Sequence, residues 1–218
     1  MTEDRRKIKA MDDQEFSIRS DMAESLRTLI KAAVALEIPK EKLFSYAEQL
    51  KSLAEEIKLT YVDKRIPRYY KEPGEDMRLD SIFPSSPISG AHNAYAPPIK
   101  MWIQDGAVYA EGVFDYQHEG PPGCVHGGVI ALVFDTTLGA ASMLAGIPVM
   151  TGTLTVRYVK PTPIKERLEM EARYLKTEGK KVFVQGTISF NNEVTAKAEG
   201  IWVAISPERI AQYQKLEG

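Results

Sequence analysis

Asp135 stands inside the most apolar stretch of a 218-residue chain, with Leu132, Val133, Phe134 and Leu138 as near neighbours in sequence. A carboxylate in such a run is costly unless it is paired or put to use. Its use, if it has one, is proton transfer: a positioned aspartate can take a proton from water. Nine residues earlier lies His126, followed by Gly127 and Gly128, where the apolar segment 126–145 begins. Read as a helix, that segment starts with unpaired N–H groups and the positive end of a dipole. Glycine there lets a ligand approach the backbone closely. Such donors stabilise a carbonyl oxygen that becomes negative, as in an oxyanion hole. Base and donors together suit acyl transfer to water. The plainer alternative is that Asp135 bonds a local hydroxyl, such as Thr136 or Thr151, or faces solvent.

Spacing constrains how the two groups could cooperate. Eight residues of helix rise about 12 Å, whereas both groups would have to lie about 3 Å from one reacting centre. One helix can hardly offer both to the same carbon. Two copies, antiparallel about a twofold axis, could, so the spacing predicts a homodimer with sites across its interface, or a dimer of such dimers.

The elements that must hold these residues follow from periodicity. Ile18, Met22, Leu26, Leu29 and Ala33 recur at helical steps, as do Leu43, Ala47, Leu50, Ala54 and Ile57 after Pro39. This helical extension, 1–63, is an amphipathic pair expected to pack on the main domain or on a partner. Residues 64–98 carry six prolines and read as a connecting segment that runs over a surface. From 99 onward the period becomes two. Runs 99–104 and 107–115 flank Asp105-Gly106, a strong hairpin signal. The long helix follows, then strands at 150–160, around Leu168–Tyr174, around Val182–Phe190, and at 193–204, with turns at Glu178-Gly179 and Asn191-Asn192. Ser206 and Pro207 suit the start of a short last helix. The fold class is α+β, an antiparallel sheet wrapped around one central helix, within a domain spanning 99–218.

Composition narrows the function classes. Twenty-eight basic residues against 30 acidic leave a net charge of -2, without the positive footprint that nucleic-acid binding needs. No run of about 18 apolar residues, as a membrane span requires, is evident. The opening MTEDRRKIKAMDDQEF lacks the apolar core of a signal peptide. Cys124, the single cysteine, allows no internal disulfide and fits a reducing compartment. These point to a cytoplasmic location. His92, His118 and His126 have no zinc-ligand spacing, so no metal is expected. Cys124 has no evident base and reads as a packed small residue. His118 reads as a surface loop residue.

The sequence resembles the hotdog-fold thioesterases, specifically the PaaI-like group that includes the thioesterase superfamily members. The likeness rests on EGPPGCVHGG (119–128), on Asp135 nine residues after His126, on MTGTLTVRYVKPTP (150–163) and on EGKKVFV (178–184). It implies acyl-CoA thioester hydrolysis with no separate cofactor, since coenzyme A belongs to the substrate. Asp135 would be the general base or nucleophile. Gly127 and Gly128 would give backbone donors to the partner chain's site, with His126 capping the helix or orienting the loop. Thr151 would position water or the acid, and strand alternation groups it with Thr153, Thr155 and Arg157. Glu119 would lie near the substrate, and Arg157, Lys160, Lys180 and Lys181 near the coenzyme A phosphates. Two alternatives stay open: an acyl-CoA-binding or interaction module without chemistry, and a hotdog hydratase or dehydratase.

Overall fold

The chain reverses where the sequence marks turns. Asp105 and Gly106 both take positive φ, 49° and 71°, and so do Asn191 and Asn192, 49° and 63°. Paired positive φ values match the twist of the strands they join. The structure, a computed structural model, describes residues 12–62, 84–206, 208, 209 and 212. At the expected last helix, residues 208, 209 and 212 are helical and Arg209 N–H donates to Ser206 Oγ at 3.4 Å, while Pro207 and the early part of the connecting segment lie outside the described residues. The strands are β1 Lys100–Gln104, β2 Ala107–Val113, β3 Val149–Tyr158, β4 Arg167–Glu178, β5 Lys181–Phe190 and β6 Glu193–Ala204. They form one antiparallel sheet in the order β1-β2-β4-β5-β6-β3. The α-helices described are α1 Asp13–Ala35, α2 Lys40–Thr60 and α3 Gly127–Ser142.

Helix α3 touches five strands, β2 to β6. A helix in contact with so much of one sheet is wrapped by it, and this is the hotdog arrangement. Strand alternation supplies the inner face: Leu168, Met170 and Ala172 on β4 are buried, and so are Val182, Val184 and Ile188 on β5. Val133, Phe134 and Leu138 of α3 fill the space between, each at most 1% exposed. Helix and sheet meet so closely at Gly186 that a Cβ there would lie 3.0 Å from Leu138 Cδ2. The other side of α3 is uncovered: Leu132, Asp135, Thr136 and Gly139 are only half-buried.

The segment Gly127–Ala145 has the length and composition of a membrane span, with a mean hydropathy of 1.6. This corrects the expectation that no stretch is apolar enough. The sheet accounts for the buried side, with Ile130, Val133, Phe134 and Leu138, while Leu132 and Gly139 lie half-buried on the uncovered side.

The connecting segment is more than a surface run. Its described part sends Ile88 and Ala96 into the core, 0% and 1% exposed. The helical extension also departs from expectation. Helix α1 docks, but through Phe16, Ala23, Arg27 and Lys31, while Ile18, Met22, Leu26 and Leu29 stay exposed. The Arg27 guanidinium donates to the Asn93 carbonyl at 3.0 Å, and His92 Nε2 meets the Phe16 carbonyl at 3.1 Å. Helix α2 has no buried residue at all.

Candidate active site

Asp135 and Thr151 meet across the helix–sheet junction. Thr151 Oγ1 donates to Asp135 Oδ1 at 2.9 Å. Asp135 Oδ2 has no partner among the described residues. The carboxylate is half-buried rather than enclosed, since it sits on the uncovered side of α3.

Thr151 reaches Asp135 because β3 changes phase. Thr151 pairs with Trp202 but Thr153 pairs with Ile201, so two residues of β3 match one step of β6. This bulge puts Gly152 in the extra position, where a Cβ would lie 2.9 Å from Val203 Cγ2 and 3.1 Å from the Ile201 carbonyl. One extra residue moves every later side chain to the other face. Thr151 therefore shares the helix-facing side with Leu154, Val156 and Tyr158, not with Thr153, Thr155 and Arg157 as simple alternation predicts. A glycine inside a strand pattern was the available warning.

At the start of α3 the donors divide. His126 is the N-cap, and its Nδ1 accepts from Gly128 N–H at 3.0 Å. That bond leaves the proton of a neutral ring on Nε2. Val129 and Ile130 N–H turn to the His126 carbonyl. Gly127 N–H alone in this turn has no partner among the described residues. The sequence offered both glycines as donors; the geometry leaves Gly127 open and engages Gly128 with the cap. Tyr158 from the end of β3 donates its hydroxyl to the Gly127 carbonyl at 2.9 Å and so fixes that peptide. Sequence reasoning assigned Tyr158 no role, although its period already placed it with Leu154 and Val156.

The loop before α3 is held from beneath. His118 is 3% exposed and not a surface residue. Its Nδ1 accepts from Asp115 N–H at 3.2 Å, its carbonyl accepts from His126 N–H at 2.8 Å, and its ring stands edge-on to Phe114. Burial pushes its pKa below the usual imidazole value, against opposing contributions from the Tyr95 carbonyl and Asp115. Burial alone would raise the Asp115 carboxyl. The bond from Lys31 Nζ at 2.6 Å and the Tyr116 N–H outweigh this and hold it below its ordinary value. Helix α1 is thereby tied to the loop that presents His126. Glu119 serves the same loop, accepting from Gly123 N–H at 2.6 Å. Cys124 is half-buried within it.

The four basic residues do not converge. Arg157 pairs with Lys197 on the outer face of the sheet, away from Asp135. Lys160 is ion-paired with Glu193 at 2.7 Å, which holds the Glu193 carboxyl below its usual range. Lys180 and Lys181 are exposed at the β4–β5 turn, where Gly179 has φ 59°. Lys181 and Met150 both pair with Val203, so this turn lies at the Thr151 end of β3. Among the described residues no His, Cys, Asp and Glu group could hold a metal.

With this geometry in hand, comparison with known proteins defines the class. Residues 122–196 match the family described as thioesterase superfamily. That stretch is similar to a thioesterase-superfamily domain, and the six-stranded sheet around α3 has the fold of that group. Over 93 residues, 42% of the chain, it is 37% identical to acyl-coenzyme A thioesterase THEM4 of Rattus norvegicus. Over 92 residues it is 29% identical to acyl-coenzyme A thioesterase THEM5 of Homo sapiens. The match spans only 40% and 37% of the length of these two relatives. A crystal structure of a thioesterase superfamily protein superposes with a TM-score of 0.74 at 29% identity, covering 85% of this chain and 94% of the other. Residues 63–218 make up less than three quarters of the chain, so that likeness must include part of 1–62.

Proposed function

We propose that the protein hydrolyses acyl-CoA thioesters to the free acid and coenzyme A. The observation that carries this reading is Asp135 on the uncovered side of α3, one oxygen tied to Thr151 and the other free. Oδ2 takes a proton from water as the water oxygen bonds to the thioester carbonyl carbon. The carbonyl oxygen gains the negative charge and is met by Gly127 N–H at a helix start. Collapse of that tetrahedral species breaks the carbon–sulfur bond, and the leaving thiolate receives the proton from Asp135. Gly127 and Asp135 of one chain are too far apart in sequence to share a carbon, so the donor comes from a second copy. Two features support a dimer of this kind: the half-buried stripe on α3 and the unpaired outer edge of β3. Of the basic residues, Lys180 and Lys181 are best situated for the phosphates of coenzyme A.

The test is thiol release from a panel of short, long and aromatic acyl-CoAs. Asp135→Asn should lower kcat by about 10²–10⁴-fold, the range for loss of a positioned base, while affinity for a non-hydrolysable analogue is kept. Turnover at the parent rate in that variant removes Asp135 from the chemistry. A fully active monomer in sedimentation removes the shared site.

A further inference from the structure

Helix α2 carries an apolar face that no described residue of its own chain buries. Leu43, Tyr46, Leu50, Leu53 and Ile57 follow steps of three, four, three and four, the spacing of a coiled-coil seam. Their exposures lie between 37% and 50%, well above those of core residues.

The flanks of the seam indicate what covers it. In heptad terms Leu43, Leu50 and Ile57 are a positions, and Tyr46 and Leu53 are d positions. Ala47 and Ala54 fall at e, and Lys42, Gln49 and Glu56 at g. A parallel pair of α2 helices would set each g residue against an e residue of the other chain. Lys42, Gln49 and Glu56 would then face Ala47, Ala54 and Tyr61, with no charge matched. An antiparallel pair sets g against g. Lys42 then meets the partner's Glu56, Gln49 meets the partner's Gln49, and Glu56 meets the partner's Lys42. In that register Leu43 packs on the partner's Leu53 and Tyr46 on the partner's Leu50. Ala47 adjoins the partner's Ala47, which lets the two backbones come close. Lys42 and Glu56 have no ion pair among the described residues, whereas Lys58 and Glu55, off the seam, already pair within the helix at 2.8 Å.

We propose that α2 docks on α2 of a second copy, antiparallel and centred near Gln49, as a self-association surface separate from the β3 edge and α3. Its self-complementary charge pattern fits a twofold contact, in which one patch meets its own copy. The inference does not depend on the chemistry assigned to Asp135.

The full-length chain tests it by sedimentation. Leu50→Glu with Leu53→Glu should abolish one association step and leave the circular dichroism of the protomer intact, because both positions are exposed there. Lys42→Glu alone, or Glu56→Lys alone, should weaken that step roughly two- to thirtyfold, from two symmetric surface pairs. The double exchange should restore it. In a Cys124→Ser background, Gln49→Cys should give a covalent dimer with a short bismaleimide, and Phe44→Cys on the outer side should not. Unchanged sedimentation of the double glutamate variant overturns the proposal. So does failure of the charge exchange to restore association. A variant that loses protomer helicity at constant mass also overturns it, since α2 would then fold back on α1.

Discussion

Helices α2 and α3 share an apolar repeat but not a fate. In α3 the repeat covers nearly the whole circumference, and the sheet encloses most of it. In α2 it is a narrow stripe flanked by charge, and none of it is buried. Periodicity therefore tells which face of a helix is apolar, while its angular width tells how many sides will be covered. The two helices also differ in what a polar residue does there. Asp135 lies on the one side of α3 that stays accessible, and Thr151 holds it, whereas the charges on α2 flank a seam.

Substitutions at matched positions sharpen this contrast. Leu138→Ala in α3 should lower unfolding free energy by about 2–5 kcal/mol in urea titrations, the cost of truncating a fully buried leucine. Leu53→Ala in α2 should change that of the isolated protomer by less than about 0.5 kcal/mol. Equal losses at the two sites would erase the distinction.

Acid offers a second probe, directed at the buried supports rather than the exposed helix. His92 and His118 both have lowered pKa values, with burial as the leading cause. An unfolded imidazole titrates near 6.5. Below that pH the unfolded chain takes up protons first, so stability is fullest above it and falls as pH drops toward the lowered folded values. Thermal unfolding at pH 7.5 and 5.5 should show a lower Tm at pH 5.5. A Tm that rises with acid would mean that these rings are not neutral in the fold. A modest effect is expected where α1 ties down the loop. Lys31→Ala removes the partner of Asp115 and should cost about 0.2–1 kcal/mol, as partly exposed ion pairs do, measurable as a small shift in urea midpoint.

Much of the fold was legible in residue order because it rests on local rules. The paired turn residues, the period-two runs and the apolar segment 126–145 each translated directly into the elements found. The bond between Asp135 and Thr151 and the place of His126 at the helix start were legible too. What escaped depends on contacts between distant segments. His118 looked like loop surface because nothing local shows Phe114 and Tyr95 closing over it. Plain alternation grouped Arg157 with Thr151 on one face, and the bulge at Gly152 between them puts the two on opposite faces. The exposed stripe of α1 was read as its docking side because periodicity does not say which face a neighbouring domain takes.

The extra residue in β3 has a consequence for how this chain tolerates change. Deleting Gly152 would leave Thr151 opposite Trp202 and Thr153 opposite Ile201 in plain alternation, so the hydroxyl of Thr151 would stay on the helix-facing side. Giving that position a side chain is the harsher change, because its Cβ would press on Val203 and on the Ile201 carbonyl, and the edge of the sheet would have to give. The extra position thus tolerates an omission better than an addition.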